Sequence, residues 1–118
     1  MNLKTPLQQA REFRTAYKIT DTMQRRENQK HLIDEEYSEF IEAHYGLDRV
    51  DCLKELADLV YVCYQYAANL NWDLDSAMDR VHKSNMSKLG EDGKPIYRDD
   101  GKVLKGPNYK PPTLHDLI

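Results

Sequence analysis

The sequence is poor in residues that staple, span or break a chain. Of 118 residues only two are cysteine and one is tryptophan. Cys52 and Cys63 stand eleven positions apart within one expected helix, which sets them about 16 Å apart along its axis, beyond disulfide reach. They read as small core residues in a reducing compartment. No apolar run approaches the ~20 residues needed to cross a bilayer, and the opening Met1-Asn-Leu-Lys-Thr-Pro has no apolar signal segment. A cytoplasmic protein without a membrane partner is the expectation. Basic surplus is also missing, since the net charge is −3, and this argues against a nucleic-acid partner. His31, His44, His82 and His115 show no paired ligand spacing, so none enters a candidate site. Glycine and proline are scarce before Lys88, where only Gly46 and Pro6 occur.

What remains is 40% hydrophobic and 31% charged, the balance of one domain built on amphipathic helices. Thr5-Pro6 gives a cap and a proline at the first helical position, opening a helix over about residues 6–18 with Leu7, Ala10, Phe13, Ala16 and Tyr17 at helical spacing. A second helix is expected from around Gln24 to His44, ended by Gly46 as a left-handed cap. Asp48 then caps a third, reaching about Leu70. Asp73 or Asp75 opens a fourth, running to about Met86. Its chemistry-bearing end is expected to finish near Ser84, releasing Asn85 into a loop. These helices make a domain over residues 1–90, and residues 91–118 form an arm that is no independent domain. Asp92-Gly93 and Asp99-Asp100-Gly101 flank Pro95–Arg98, with Lys102–Lys105 following. That pattern predicts a short β-hairpin, then a proline-rich extended tail. The expected class is all-α, a four-helix bundle with a short C-terminal β-hairpin.

Two acidic signatures interrupt this plain pattern: Glu35-Glu36-x-x-Glu39, and Glu55-x-x-Asp58 on the next helix. At roughly 100° per residue, Glu36 and Glu39 fall within the same arc as Leu32, Phe40 and Ala43, the stripe that should face the core. Glu55 and Asp58 lie on the flank of the third helix. A short link makes the two helices antiparallel, so four carboxylates can meet at one seam. Carboxylates gathered away from water repel one another and lose hydration unless a cation joins them. Oxygen-only ligands select Mg²⁺, with Mn²⁺ as substitute, over zinc.

The signature Glu35-Glu36-Tyr37-Ser38-Glu39 followed by Glu55-Leu56-Ala57-Asp58 resembles the EExxE and ExxD motifs of MazG-like all-α nucleoside triphosphate pyrophosphohydrolases. Gln9–Phe13 looks like that family's first helix, and Asp79–Lys88 like its substrate-facing last helix. The likeness spans about residues 7–90, and the tail is similar to extensions on small stand-alone members. The resemblance implies a Mg²⁺-dependent enzyme converting a nucleoside triphosphate and water to the monophosphate and diphosphate, in nucleotide-pool control. Glu36, Glu39, Glu55 and Asp58 would hold the metal, and Glu35 would support them or act as base. Lys83, Asn85 and Lys88 would meet the substrate. The same likeness covers phosphoribosyl-ATP pyrophosphohydrolases and dUTPase-like relatives. It also implies self-association as a homodimer or homotetramer, which the third helix, apolar around much of its circumference, independently suggests. Two other readings compete. A carboxylate-bridged di-iron bundle needs Glu-x-x-His pairs, and Asp58 stands where the histidine would be. A non-enzymatic helical interaction module would use the tyrosine-rich third helix as its binding face.

Overall fold

The computed structural model describes residues 3–118. They hold α1 (Pro6–Ala16), α2 (Met23–Tyr45), α3 (Arg49–Asn69) and α4 (Leu74–Met86), with a single 3-10 turn at His115–Leu117. The caps explain the starts. Thr5 and Gln8 close a capping box, in which the Thr5 hydroxyl accepts from the Gln8 amide at 3.2 Å and the Gln8 side chain accepts from the Thr5 amide at 2.8 Å. The Thr22 hydroxyl accepts from the Arg25 amide at 3.0 Å. Asp48 accepts from Val50 and Asp51 at 2.9 and 3.2 Å. Each such cap stabilises its helix by about 1 kcal/mol.

The chain divides into two compact units, one ending at Leu74 and one comprising Asp75–Ile118. In the first, α2 and α3 form an antiparallel hairpin whose link is Gly46-Leu47-Asp48. Gly46 is extended there, with φ −80° and ψ 177°, and not the left-handed cap its sequence position predicts. With three residues between helices, the chain must turn directly into the Asp48 cap. The left-handed positions fall instead on Lys18 (φ 55°) and Asn71 (φ 57°), just past α1 and α3. Helix α1 runs parallel to α3, with Gln65 donating to the Ala10 carbonyl at 3.4 Å and the Arg14 guanidinium donating to Asn69 four residues further along each helix. Leu7 and Ala10 of α1, Ala43 of α2 and Ala67 of α3 form the fully buried apolar core. Larger apolar side chains on α3, among them Leu53, Leu56, Val60 and Tyr61, remain exposed.

The second unit is α4 with the C-terminal arm strapped along it. The Ser84 hydroxyl donates to the Lys110 carbonyl at 2.7 Å, and the Lys110 amide donates to Ser87 Oγ at 2.9 Å. Arg80 grips Asp116 through two bonds of 2.6 and 2.9 Å and the Thr113 carbonyl at 3.0 Å. Gly106 donates to the Lys88 carbonyl at 2.7 Å. Any Cβ at Gly106 would sit 2.3 Å from the Leu89 carbonyl oxygen, so only glycine permits this approach.

The expected β-hairpin is not present. Among the described residues there is no β-strand, and Tyr97 and Val103 form one isolated antiparallel bridge. The turn signals are real, since Gly93 and Gly101 have φ of 75° and 88°. The ladder fails to extend because Pro95 lacks a donor and the flanking residues 91–105 are exposed, with no apolar face to rest on. Asn85 is likewise inside α4 and not in a loop, because the helix continues to Met86.

The Arg80 guanidinium holds the Asp116 carboxyl down to about 2, against an ordinary 3.8. A depressed carboxyl contributes stability that is complete above 3.8 and lost as pH falls through about 2. Asp116→Asn at pH 7 is expected to reproduce the acid state, with faster hydrogen exchange at the Leu117 amide, which now bonds to Leu114 at 3.0 Å.

Candidate active site

The α2–α3 hairpin brings Glu36, Glu39 and Glu55 together. One carboxylate oxygen from each lies within 4.8 Å of the others. Glu36 and Glu39 are placed by their spacing on α2, and Glu55 comes across the seam from the first half of α3. Glu36 and Glu55 are half-buried and Glu39 is exposed. The Oε2 atoms of Glu36 and Glu55 are buried without a hydrogen-bond partner. Such orphaned anionic oxygens are costly in isolation.

The Glu36 carboxyl titrates above its ordinary value. Burial is the main cause, followed by the charge and hydrogen bond of Glu39, with Asp58 and Glu55 adding repulsion. Asp58 is outside the three-oxygen cluster. Its carboxylate is held at 2.7 Å by the Lys54 ammonium, which also lies 3.3 Å from Glu55. These two bonds raise the Lys54 pKa, Asp58 contributing first. Lys54 is thus the internal countercharge of the acidic seam. Sequence reasoning missed it, although its i,i+4 spacing to Asp58 is a signal.

Glu39 and Glu55 also line a cleft of about 250 Å³ that opens toward the hairpin link, with Glu42, Asp48 and Asp51 on its walls. Glu42 and Asp51 were not foreseen either; Asp51 precedes Glu55 by one helical turn and shares its face. Glu35 is exposed on α2. Lys83, Asn85 and Lys88 belong to the second unit. There Lys83 is exposed and paired with Asp79 at 2.8 Å, Asn85 is exposed, and Lys88 is half-buried.

The donor set suits a hard divalent cation: three carboxylates converge, two of their oxygens are unsatisfied, and no thiol or imidazole is among them. A helical hairpin with carboxylates turned into its seam places the chain among all-α proteins with an acidic interhelical site. Among these, the sequence model of the phosphoribosyl-ATP pyrophosphohydrolase family matches residues 4–85. The chain belongs to that family, in the MazG-like all-α nucleoside triphosphate pyrophosphohydrolase superfamily. It is a family of hydrolases acting on phosphoanhydride bonds. The match takes in both acidic signatures and ends at Asn85, short of Lys88 and the arm. No curated protein matches the chain. Among the described residues no helix is long and apolar enough to cross a membrane.

Because the Glu36 pKa is raised, ionising this carboxyl opposes folding as pH rises through that elevated value. Glu36→Gln is therefore expected to raise the melting temperature of the metal-free protein by a few degrees. Millimolar Mg²⁺ is expected to raise the melting temperature of the wild-type chain and to leave that of Glu36→Gln unchanged. Thermal scans with and without the ion read both effects.

Proposed function

We propose that the protein is a Mg²⁺-dependent pyrophosphohydrolase that converts a nucleoside triphosphate, deoxy or non-standard, and water to the monophosphate and diphosphate. The observation that carries this reading is the convergence of Glu36, Glu39 and Glu55 with two buried, unpartnered oxygens. These three residues would hold the ion, and Asp58 would join them by exchanging the Lys54 ammonium for it. Mn²⁺ would substitute. Bound there, Mg²⁺ supplies charge neutralisation for phosphate oxygens and acidifies a water. Glu35, exposed one position before Glu36, would accept the proton of the attacking water. Lys54, once released from Asp58, carries a positive charge beside the site that offsets charge growing on the departing diphosphate.

A second reading is favoured by the family match itself, whose description names phosphoribosyl-ATP. The same bond would be broken in that substrate, so a panel is required. Purified protein incubated with Mg²⁺ and each common and damaged nucleoside triphosphate, or phosphoribosyl-ATP, is expected to release diphosphate and no orthophosphate. Glu39→Gln should lose most turnover, roughly a hundredfold or more for a lost ligand of the reacting centre, with helix content unchanged by circular dichroism. Unchanged turnover in that variant refutes the site.

Self-association as a homodimer or homotetramer is part of the proposal. Leu53, Leu56, Val60 and Tyr61 are 66%, 41%, 46% and 41% exposed on one side of α3, an apolar stripe beside a core made largely of alanine. Light scattering is expected to return more than one chain per particle for the wild type. Leu56→Arg should return a smaller particle.

A further inference from the structure

A second charged locus lies at the opposite end of the α2–α3 hairpin. Arg11 and Arg14 follow one another at i and i+3 on α1, and Lys18 stands just past its end. They line an open cavity of about 490 Å³ together with Ile19, Ala68 and Asn71. Arg14 is only 7% exposed. Its Nη2 donates to Asn69 Oδ1, but its Nη1 is buried without a partner. The Asp21 charge acts on Arg14, but the two share no hydrogen bond. Asp21 is committed to Arg26 at 3.0 and 2.7 Å and to the Asn69 amide at 2.8 Å. Arg25 adds further positive charge nearby. Neither Arg11 nor Lys18 has an ion pair among the described residues. A buried guanidinium that is hydrogen-bonded only to a neutral amide, with Asp21 acting on it through charge alone and two more unpaired cations beside it, leaves room for a further anion.

We propose that this cavity is an oxyanion site for a phosphoryl group, bound by Arg14 at its base and by Arg11 and Lys18 at its rim. Arg14 is the discriminating ligand, because its planar fork is fixed by Asn69 with one arm left to donate. Lys18 is held in the left-handed region at φ 55°, where glycine or asparagine is the usual occupant, so a lysine there costs about 1 kcal/mol of backbone strain. The site is separate from the glutamates. From Glu55 to Asn69 is fourteen residues of continuous α3, about 21 Å along the axis. The group bound here is therefore either a phosphate monoester at the far end of a long substrate or a free phosphate. The proposal does not depend on the hydrolase reading.

The test is a metal-free amide NMR titration of the full chain with inorganic phosphate and, separately, ribose 5-phosphate, at constant ionic strength. Saturable shifts are expected at Lys18, Ile19 and Asn71. They should persist in Glu39→Gln, which separates this site from the catalytic one. Arg11→Gln combined with Lys18→Gln, both exposed positions, should weaken binding roughly tenfold or more, the factor one charge-assisted hydrogen bond supplies. Tighter binding of ribose 5-phosphate identifies a substrate-borne monoester, and equal binding identifies free phosphate. Cations that merely offset the α1 and α3 helix dipoles would leave the shifts non-saturating or the double variant's affinity unchanged, and either result overturns the proposal.

Discussion

Mutual repulsion of carboxylates within the α2–α3 seam is the constraint around which the first unit is arranged. Hydration lost by Glu36 and Glu55 is only partly returned by hydrogen bonds, since each keeps a buried oxygen without a partner. One lysine, Lys54, answers part of the charge through Asp58 and Glu55. A divalent cation would answer the rest. The hairpin link therefore matters to chemistry as well as to topology. Three residues and the Asp48 cap hold α3 in the register that sets Glu55 opposite Glu36 and Glu39.

The core that supports this arrangement is slight. Among the described residues Leu7 and three alanines are the buried apolar ones, and small side chains let helices approach closely while burying little area. Polar anchors at the other end share the task, with Arg14, Asn69, Asp21 and Arg26 linked in one chain of hydrogen bonds from α1 through α3 to the start of α2. The exposed stripe on α3 completes the account only if another surface covers it, which is why assembly belongs with the functional proposal.

Much of this was legible in the residues. Thr5-Pro6 and Asp48 mark helix starts by local chemistry, and the acidic signatures stand out because carboxylates occupy positions where apolar residues are expected. Pairings distant in sequence left no such trace. Arg14 and Asn69 are 55 positions apart, and each taken singly looks like an ordinary polar residue of an amphipathic helix. The arm misled for a different reason. Its turns form as glycine chemistry dictates, but strand pairing needs a covered face, and residues 91–105 have none. Gly46 misled through context, because a link this short has no room for a left-handed residue before the next cap.

The parallel course of α1 and α3 leaves the first unit electrically lopsided. Glutamates and aspartates crowd the link end of the hairpin, while Arg11, Arg14, Lys18, Arg25 and Arg26 crowd the other. A polyanion is drawn more readily to that cationic end than to the acidic one. Encounter with a phosphate-bearing molecule would begin far from the glutamates, and dissolved salt would slow that first meeting.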